Sequence, residues 1–191
     1  MSAEPRFRIP MPPDGVWTEA DLDALRADVP FRTEIVDGNL IVNPRPSLWH
    51  NDVIAVVRNK LVGAAPAGQW AYPDSEIRWI DHGEVRRSLA PDVLVAPKHL
   101  RDEKRPFAPP DVVLLVVEVE SRSSTRIDRE AKPRQYAELG IPAMWRIEEG
   151  PRVVEYRLTP DGGAETVQTV TTGTFTTEVP FRVTIDLDTL R

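Results

Sequence analysis

The feature that most constrains this sequence is an unbroken apolar run, Val112 to Val117, which ends in Glu118-Val119-Glu120. Val dominates the run, and a short continuous apolar run is typical of a strand that is buried on both faces. An ionised carboxylate at position 118 is costly at the end of such a strand unless it is paired or binds a cation. The segment from Asp111 to Glu120 therefore predicts the most buried strand of the protein and, at its end, a candidate site.

Helical and strand signals alternate along the rest of the chain, which predicts one α/β domain with a mixed β-sheet flanked by helices. The 191 residues are enough for one domain. Pro at positions 5, 10, 12 and 13 predicts an extended N-terminal arm over 1–16, with the domain over 17–191. Three helices are predicted: a short one capped by Thr18, one over Ser47–Val62 and one over Asp128–Leu139. The predicted strands are Glu76–Ile80, Pro91–Ala96, Met144–Ile147 and Val153–Leu158. A hairpin is predicted at Asp37-Gly38.

Composition excludes several classes of protein. There is no Cys and there are 3 His, so disulfide frameworks, thiolate nucleophiles and His-rich zinc sites are not expected. The net charge of −6 argues against a passive nucleic-acid coat, although carboxylates that hold a cation also make a chain acidic. No signal peptide or membrane span is visible, and we expect a cytoplasmic protein without membrane partners.

Two carboxylates form the most informative pair. Asp92 follows Pro91 at the start of a predicted strand, and Glu118 lies near the end of the most buried one. Carboxylates that converge from adjacent strands suit a hard cation such as Mg²⁺, which can activate water and offset charge on a phosphate. The simpler interpretation makes Asp92 a turn residue and leaves Glu118 facing solvent.

A longer pattern surrounds this pair. It comprises Thr33 to Gly38 in the hairpin, His50, Pro91-Asp92, Glu118 to Ser121, and then Asp128, Lys132, Tyr136, Gly140-Ile141-Pro142 and Trp145. In order and spacing, it resembles the Uma2 family of restriction-endonuclease-like proteins, within the PD-(D/E)XK nuclease superfamily. The resemblance implies a restriction-endonuclease-like fold. It also implies that Asp92 and Glu118 are metal ligands, with Glu34 as a further acidic residue that binds metal through water; alternatively, Glu34 is a surface strand residue.

The Lys of the (D/E)XK pattern is replaced here by Glu120, which is expected as a secondary ligand or base. A Lys on the following helix can reach the same space, and Lys132 is the candidate, expected to orient water or stabilise charge. Lys132 and Tyr136 are spaced to share one helix face. Because Pro133 follows Lys132, we expect either that the helix begins later than Asp128 or that the Lys132 side chain points away from the site. The alternative to a catalytic role is that Lys132 is an ordinary solvated Lys on the surface. We interpret His50 as a cap or packing residue.

The expected function is that of a metal-dependent DNA endonuclease, in which water activated by Mg²⁺ or Mn²⁺ attacks a phosphodiester. A homodimer is expected, because cutting both strands of a duplex suits two sites related by a two-fold axis. Two alternatives remain: a nuclease-fold protein without activity that serves as a binding or assembly module, and a metal-dependent hydrolase of small phosphoesters.

Overall fold

The structure is a computed structural model of the chain, and it describes residues 11–12, 14–28, 32–36, 39–43, 45–120 and 127–191. The helices are α1 (Glu19–Asp28), α2 (Leu48–Ala64), α3 (His99–Asp102) and α4 (Lys132–Glu138), with a π-helical turn (Ile127–Ala131) directly before α4 and 3₁₀ turns at Pro110–Val112 and Leu187–Leu190. The strands are β1 (Arg32–Val36), β2 (Asn39–Asn43), β3 (Gln69–Pro73), β4 (Ile77–Asp81), β5 (Glu84–Leu89), β6 (Val93–Pro97), β7 (Leu115–Val119), β8 (Ala143–Glu148), β9 (Arg152–Leu158), β10 (Ala164–Val170), β11 (Thr174–Thr177) and β12 (Val183–Asp186).

Within the described residues, the strands form three sheets. The largest has the order β10-β9-β8-β7-β6-β3, and it is mixed because β7 and β8 are parallel whereas the other neighbours are antiparallel. A second sheet has the order β2-β1-β5-β4, and β11 pairs with β12. The predicted mixed α/β architecture is confirmed, with its strands divided among three sheets.

The first two helices begin where their sequences predict. The hydroxyl of Thr18 accepts from the backbone N–H of Asp21 (3.2 Å), and the backbone N–H of Thr18 donates to the Asp21 carboxylate (3.0 Å), which completes a capping box. The hydroxyl of Ser47 accepts from the backbone N–H of His50 (3.2 Å) at the start of α2. These caps satisfy N–H groups that have no partner within the helix.

Strand β7 separates two parts of the core. Leu115, Val117 and Val119 belong to the cluster that α2 covers, whereas Val116 packs with Tyr136 of α4. Since successive side chains of a strand point to opposite faces, Glu118 lies on the same face as Val116 and is directed towards α4. The fold thus places the acidic residue of the most buried strand beneath a helix.

Several local expectations need correction. β7 begins at Leu115, because Pro110–Val112 forms a 3₁₀ turn in place of the first residues of the predicted strand. Strands β3 and β5 were not predicted, since both are short and β5 (EVRRSL) carries charged residues. The Asp37-Gly38 turn and most of the proposed N-terminal arm lie outside the described residues.

Pro133 lies in the first turn of α4, because the α-helix begins only at Lys132. This is the alternative in which the helix begins later than its sequence pattern predicts.

No helix in the described part of the chain is long and apolar enough to cross a membrane.

Candidate active site

The candidate site lies where the two larger sheets meet. The short connection Ala90-Pro91-Asp92 leads from β5 in the four-stranded sheet to β6 in the six-stranded sheet. The backbone N–H of Ala90 donates to Oε1 of Glu34 on β1 (2.8 Å), which joins the carboxylate of one sheet to the connection between the sheets. This junction brings Glu34 and Asp92 into one buried region, although 58 positions separate them in the sequence.

Asp92 is held from three directions. Nη1 of Arg32 donates to its Oδ1 (2.8 Å), the backbone N–H of Val119 donates to its Oδ2 (2.7 Å), and Nε2 of His50 lies 3.3 Å from Oδ2. Burial alone would raise the pKa of this carboxyl, but the hydrogen bond with His50 and the charge of Arg32 outweigh burial and lower the pKa from 3.8 to about 2. Asp92 lies in a bend directly before β6, as the interpretation of it as a turn residue required, but it is also a buried carboxylate with three partners, which that interpretation did not include.

Strand register brings Glu118 beside Asp92. Val93 pairs with Val117 in the antiparallel β6–β7 ladder, so the next pair outward is Asp92 and Glu118. Glu118 is only 3% exposed, which excludes the alternative in which it faces solvent. The register therefore places Asp92 and Glu118 opposite each other at one end of the sheet, where Asp92 contacts His50 of α2 and Glu118 contacts Lys132 of α4.

Lys132 connects two of the three carboxylates. Its Nζ donates to Oε1 of Glu34 (3.0 Å) and to Oε1 of Glu118 (2.7 Å), and it is 4% exposed. Tyr136, one helical turn further along α4, donates its hydroxyl to the same Oε1 of Glu118. The alternative of a solvated surface Lys is excluded, and the expected shared helix face of Lys132 and Tyr136 is confirmed.

The pKa values of the surrounding groups reflect this crowding. Burial would raise the pKa of Glu34, but the charges of Lys132 and Arg32 lower it below its ordinary value. Burial and the charges of Glu118 and Glu34 raise the pKa of Tyr136 well above 10. Burial would lower the pKa of Arg32, yet the carboxylates of Asp92, Glu118 and Glu34 raise it. All three carboxylates therefore lie close enough to Arg32 to act on its charge.

The charges of this cluster do not balance. Three carboxylates, those of Glu34, Asp92 and Glu118, face two cations, those of Arg32 and Lys132. These carboxylates outnumber their Arg and Lys partners by one, which favours a further cation. Among the described residues, however, no group of three or more His, Asp or Glu side chains is arranged to hold a metal ion. The ammonium of Lys132 lies between the carboxylates of Glu34 and Glu118.

Glu120 has a different set of partners. Arg129 donates to both of its carboxylate oxygens (2.7 and 2.9 Å), and Nε of Arg146 lies 3.8 Å from Oε2. The described contacts do not join Glu120 to the cluster of Glu34, Asp92 and Glu118.

Sequence reasoning missed one residue of the site, Arg32, and gave too little weight to two others, His50 and Gln135. Arg32 was not considered, although strand alternation puts it on the same face of β1 as Glu34. His50 was interpreted as a cap or packing residue, and its contact with Asp92 shows that it also belongs to the site. Gln135 is fully buried, and neither its amide oxygen nor its amide nitrogen has a hydrogen-bond partner among the described residues. A buried amide without partners is unusual, and α4 places it next to Tyr136.

The family model Uma2, described as "Putative restriction endonuclease", matches residues 13–188. The chain therefore belongs to the Uma2 family, as the pattern of Pro91-Asp92, Glu118 and Lys132 indicates.

A comparison with solved structures found, among others, the crystal structure of a "putative nuclease belonging to DUF820" from Anabaena variabilis ATCC 29413. The match has a TM-score of 0.63 and 14% sequence identity, and it covers 87% of this chain and 95% of that chain. At this identity, the match shows that the two proteins share a fold. A comparison with curated proteins gave no match.

Proposed function

We propose that this protein is a metal-dependent endonuclease that hydrolyses phosphodiester bonds of DNA. The observation that carries the proposal is a cluster of three buried carboxylates from separate segments: Lys132 joins Glu34 to Glu118, and Arg32 holds Asp92. Burying so many charges together is costly for stability, and such clusters are typical of sites that are selected for chemistry. Membership of the Uma2 family supports the same reaction class.

The donor set fits a divalent metal ion chemically. Carboxylate oxygens are the ligands that Mg²⁺ and Mn²⁺ prefer, and the excess negative charge of the cluster favours a cation. In the proposal, Asp92 and Glu118 hold the ion, and Glu34 binds it through water. The bound ion would supply activation of the attacking water and neutralisation of the phosphate. Because Lys132 lies between Glu34 and Glu118, its ammonium has to move when an ion binds there.

The chain's own residues have separate roles in this proposal. Arg32 and His50 hold Asp92 in one orientation, and Tyr136 does the same for Glu118. Lys132 would orient water or stabilise negative charge on the phosphate in the transition state. The expectation that Glu120 is a secondary ligand or base stays a prediction, which a Glu120→Gln variant tests.

One observation favours a second candidate function, that of a nuclease-fold protein without activity. Every carboxylate of the cluster already has a cationic partner, and the described residues offer no ready ligand set. A site that remains closed by Lys132 and Arg32 would bind no metal, and the fold would then serve as a binding or assembly module.

The two functions are separated by metal binding and cleavage. Titration calorimetry with Mn²⁺ should show binding to the wild type and none to Glu118→Gln, with Glu165→Gln as the control, because Glu165 is an exposed carboxylate on β10. Supercoiled plasmid should be nicked by wild type and control and left intact by Glu118→Gln. If the wild type neither binds the ion nor cleaves DNA, the endonuclease proposal is wrong and the module without activity is favoured.

A homodimer is also part of the proposal. Leu48, Trp79 and Val167 are large apolar side chains that are 84%, 41% and 47% exposed, and a second copy of the chain could cover them. Light scattering over a concentration series tests this expectation, and a constant monomeric mass contradicts it.

A further inference from the structure

A cavity lies outside the carboxylate cluster, and none of its lining residues belongs to that cluster. It has a volume of about 260 Å³ and is bounded by β3, β6 and the segment 98–108. Its wall is aromatic and apolar, with Tyr72, Leu94 and Phe107, and its remaining lining includes Arg101, Lys104 and Arg105. One face of the Phe107 ring is covered by the guanidinium of Arg78, at 4.5 Å from the ring centroid, so the ring is already held in place.

Positive charge is concentrated around this cavity. Three cationic groups surround the single indole ring of Trp70: those of Arg101 (4.9 Å), Lys98 (5.6 Å) and Arg58 (5.8 Å). Among the described residues, Arg101 and Arg105 pair with the exposed carboxylates of Asp102 (3.5 Å) and Glu103 (3.0 Å), whereas no carboxylate forms an ion pair with Lys98, Arg58 or the cavity residue Lys104. Like charges gathered in this way repel each other, and in a chain of net charge −6 they mark a local surface that attracts an anion.

The cavity is connected to the carboxylate cluster. Leu94 on β6 follows Asp92 by two positions, which is about 7 Å along an extended backbone. On the neighbouring segment, Asp74 pairs with Nε of Arg32 (3.3 Å), and the next residue, Ser75, lines the cavity. A polymer that reaches Asp92 with one phosphate can therefore reach the cavity with a neighbouring unit.

We propose that this cavity receives one unpaired base of a single-stranded DNA segment, while Arg101 and Lys104 contact the flanking phosphates. Single-stranded nucleic acids are bound by a combination of aromatic side chains, on which bases stack, and cations that follow the backbone. The volume is slightly below the range of about 300–1,000 Å³ that holds drug-sized ligands, which suits a single base. This inference rests on the proposed function, because it names the substrate of the same site.

The test measures binding without cleavage. A fluorescently labelled single-stranded oligodeoxynucleotide is titrated with protein in EDTA, and anisotropy gives the Kd at several salt concentrations. The Arg101→Ala/Lys104→Ala variant should bind about tenfold more weakly, with a shallower dependence on salt, because phosphate contacts are lost. A separate Phe107→Leu variant should also weaken binding by about tenfold, with little change in the salt dependence. Arg182→Ala, which removes an exposed cation on the C-terminal segment, should bind like the wild type.

Each result decides the inference. Weakened binding by both cavity variants, with Arg182→Ala unchanged, supports it. It is overturned if both cavity variants bind like the wild type, if a blunt duplex or a single-stranded RNA binds more tightly than the single-stranded DNA, or if the wild type does not bind. Thermal melting of each variant identifies loss of fold, and if Phe107→Leu unfolds, the double variant on the exposed segment decides alone. Plasmid cleavage in Mg²⁺ is measured separately. If the wild type cleaves plasmid but does not bind the single-stranded oligonucleotide, the inference is wrong and the proposed function is still supported.

Discussion

Replacing Lys132 with Met removes the one cation that joins Glu34 to Glu118. The Lys side chain is 4% exposed and its two carboxylate partners are 2% and 3% exposed, so water cannot replace the lost ion pairs. Removing one partner of a buried ion pair typically costs about 3–5 kcal/mol. For a chain of this length, we expect the melting temperature of Lys132→Met to fall by about 10 °C relative to the wild type.

Metal ions provide the second part of this prediction. If Glu34 and Glu118 are ligands, Mn²⁺ can take the place of the lost ammonium, and it should raise the melting temperature of Lys132→Met more than that of the wild type. The matched control is Lys60→Met, since Lys60 is exposed on α2 and its replacement should change the melting temperature by no more than a degree or two. The reasoning is refuted if Lys132→Met melts together with Lys60→Met in EDTA. Equal stabilisation of all three proteins by Mn²⁺ would refute the ligand assignment alone.

Three further outcomes are expected. Glu118→Gln should lose metal-dependent plasmid nicking completely, whereas Glu165→Gln should retain it. Agarose gel electrophoresis of the plasmid measures both activities. In EDTA, the lowered pKa of Asp92 stabilises the folded state at pH values above the unfolded-state pKa of 3.8. About 2 kcal/mol of the free energy of unfolding should therefore be lost as the pH falls towards 2. Urea unfolding of wild type and Asp92→Asn measures this loss, and an equal loss in both proteins contradicts the prediction. Thr18→Ala should lower the free energy of unfolding by about 1 kcal/mol, because the capping box is lost. In the same unfolding assay, the control Thr171→Ala should leave the free energy of unfolding nearly unchanged.

Local signals predicted the parts of the fold in which neighbouring residues determine the conformation. The caps at Thr18 and Ser47 are interactions within one turn, and they are visible as residue types at fixed spacing. Gly140, which ends α4 with φ of +76°, is likewise a local requirement, because other residues rarely adopt this conformation. By contrast, β5 pairs with β1 and β4 despite its charged sequence, and only those partners make it a strand.

For the candidate site, the sequence by itself determined which residues were chemically costly to bury. A carboxylate at the end of an apolar strand, as at Glu118, has to be compensated, and that argument requires no coordinates. The partners that compensate it were decided by the tertiary structure. The antiparallel register of β6 and β7 brings Asp92 beside Glu118, and Arg32 and Lys132 come from segments 86 and 14 positions away from Glu118. Charge pairing depends on distance in space, and a sequence gives distance only along the chain.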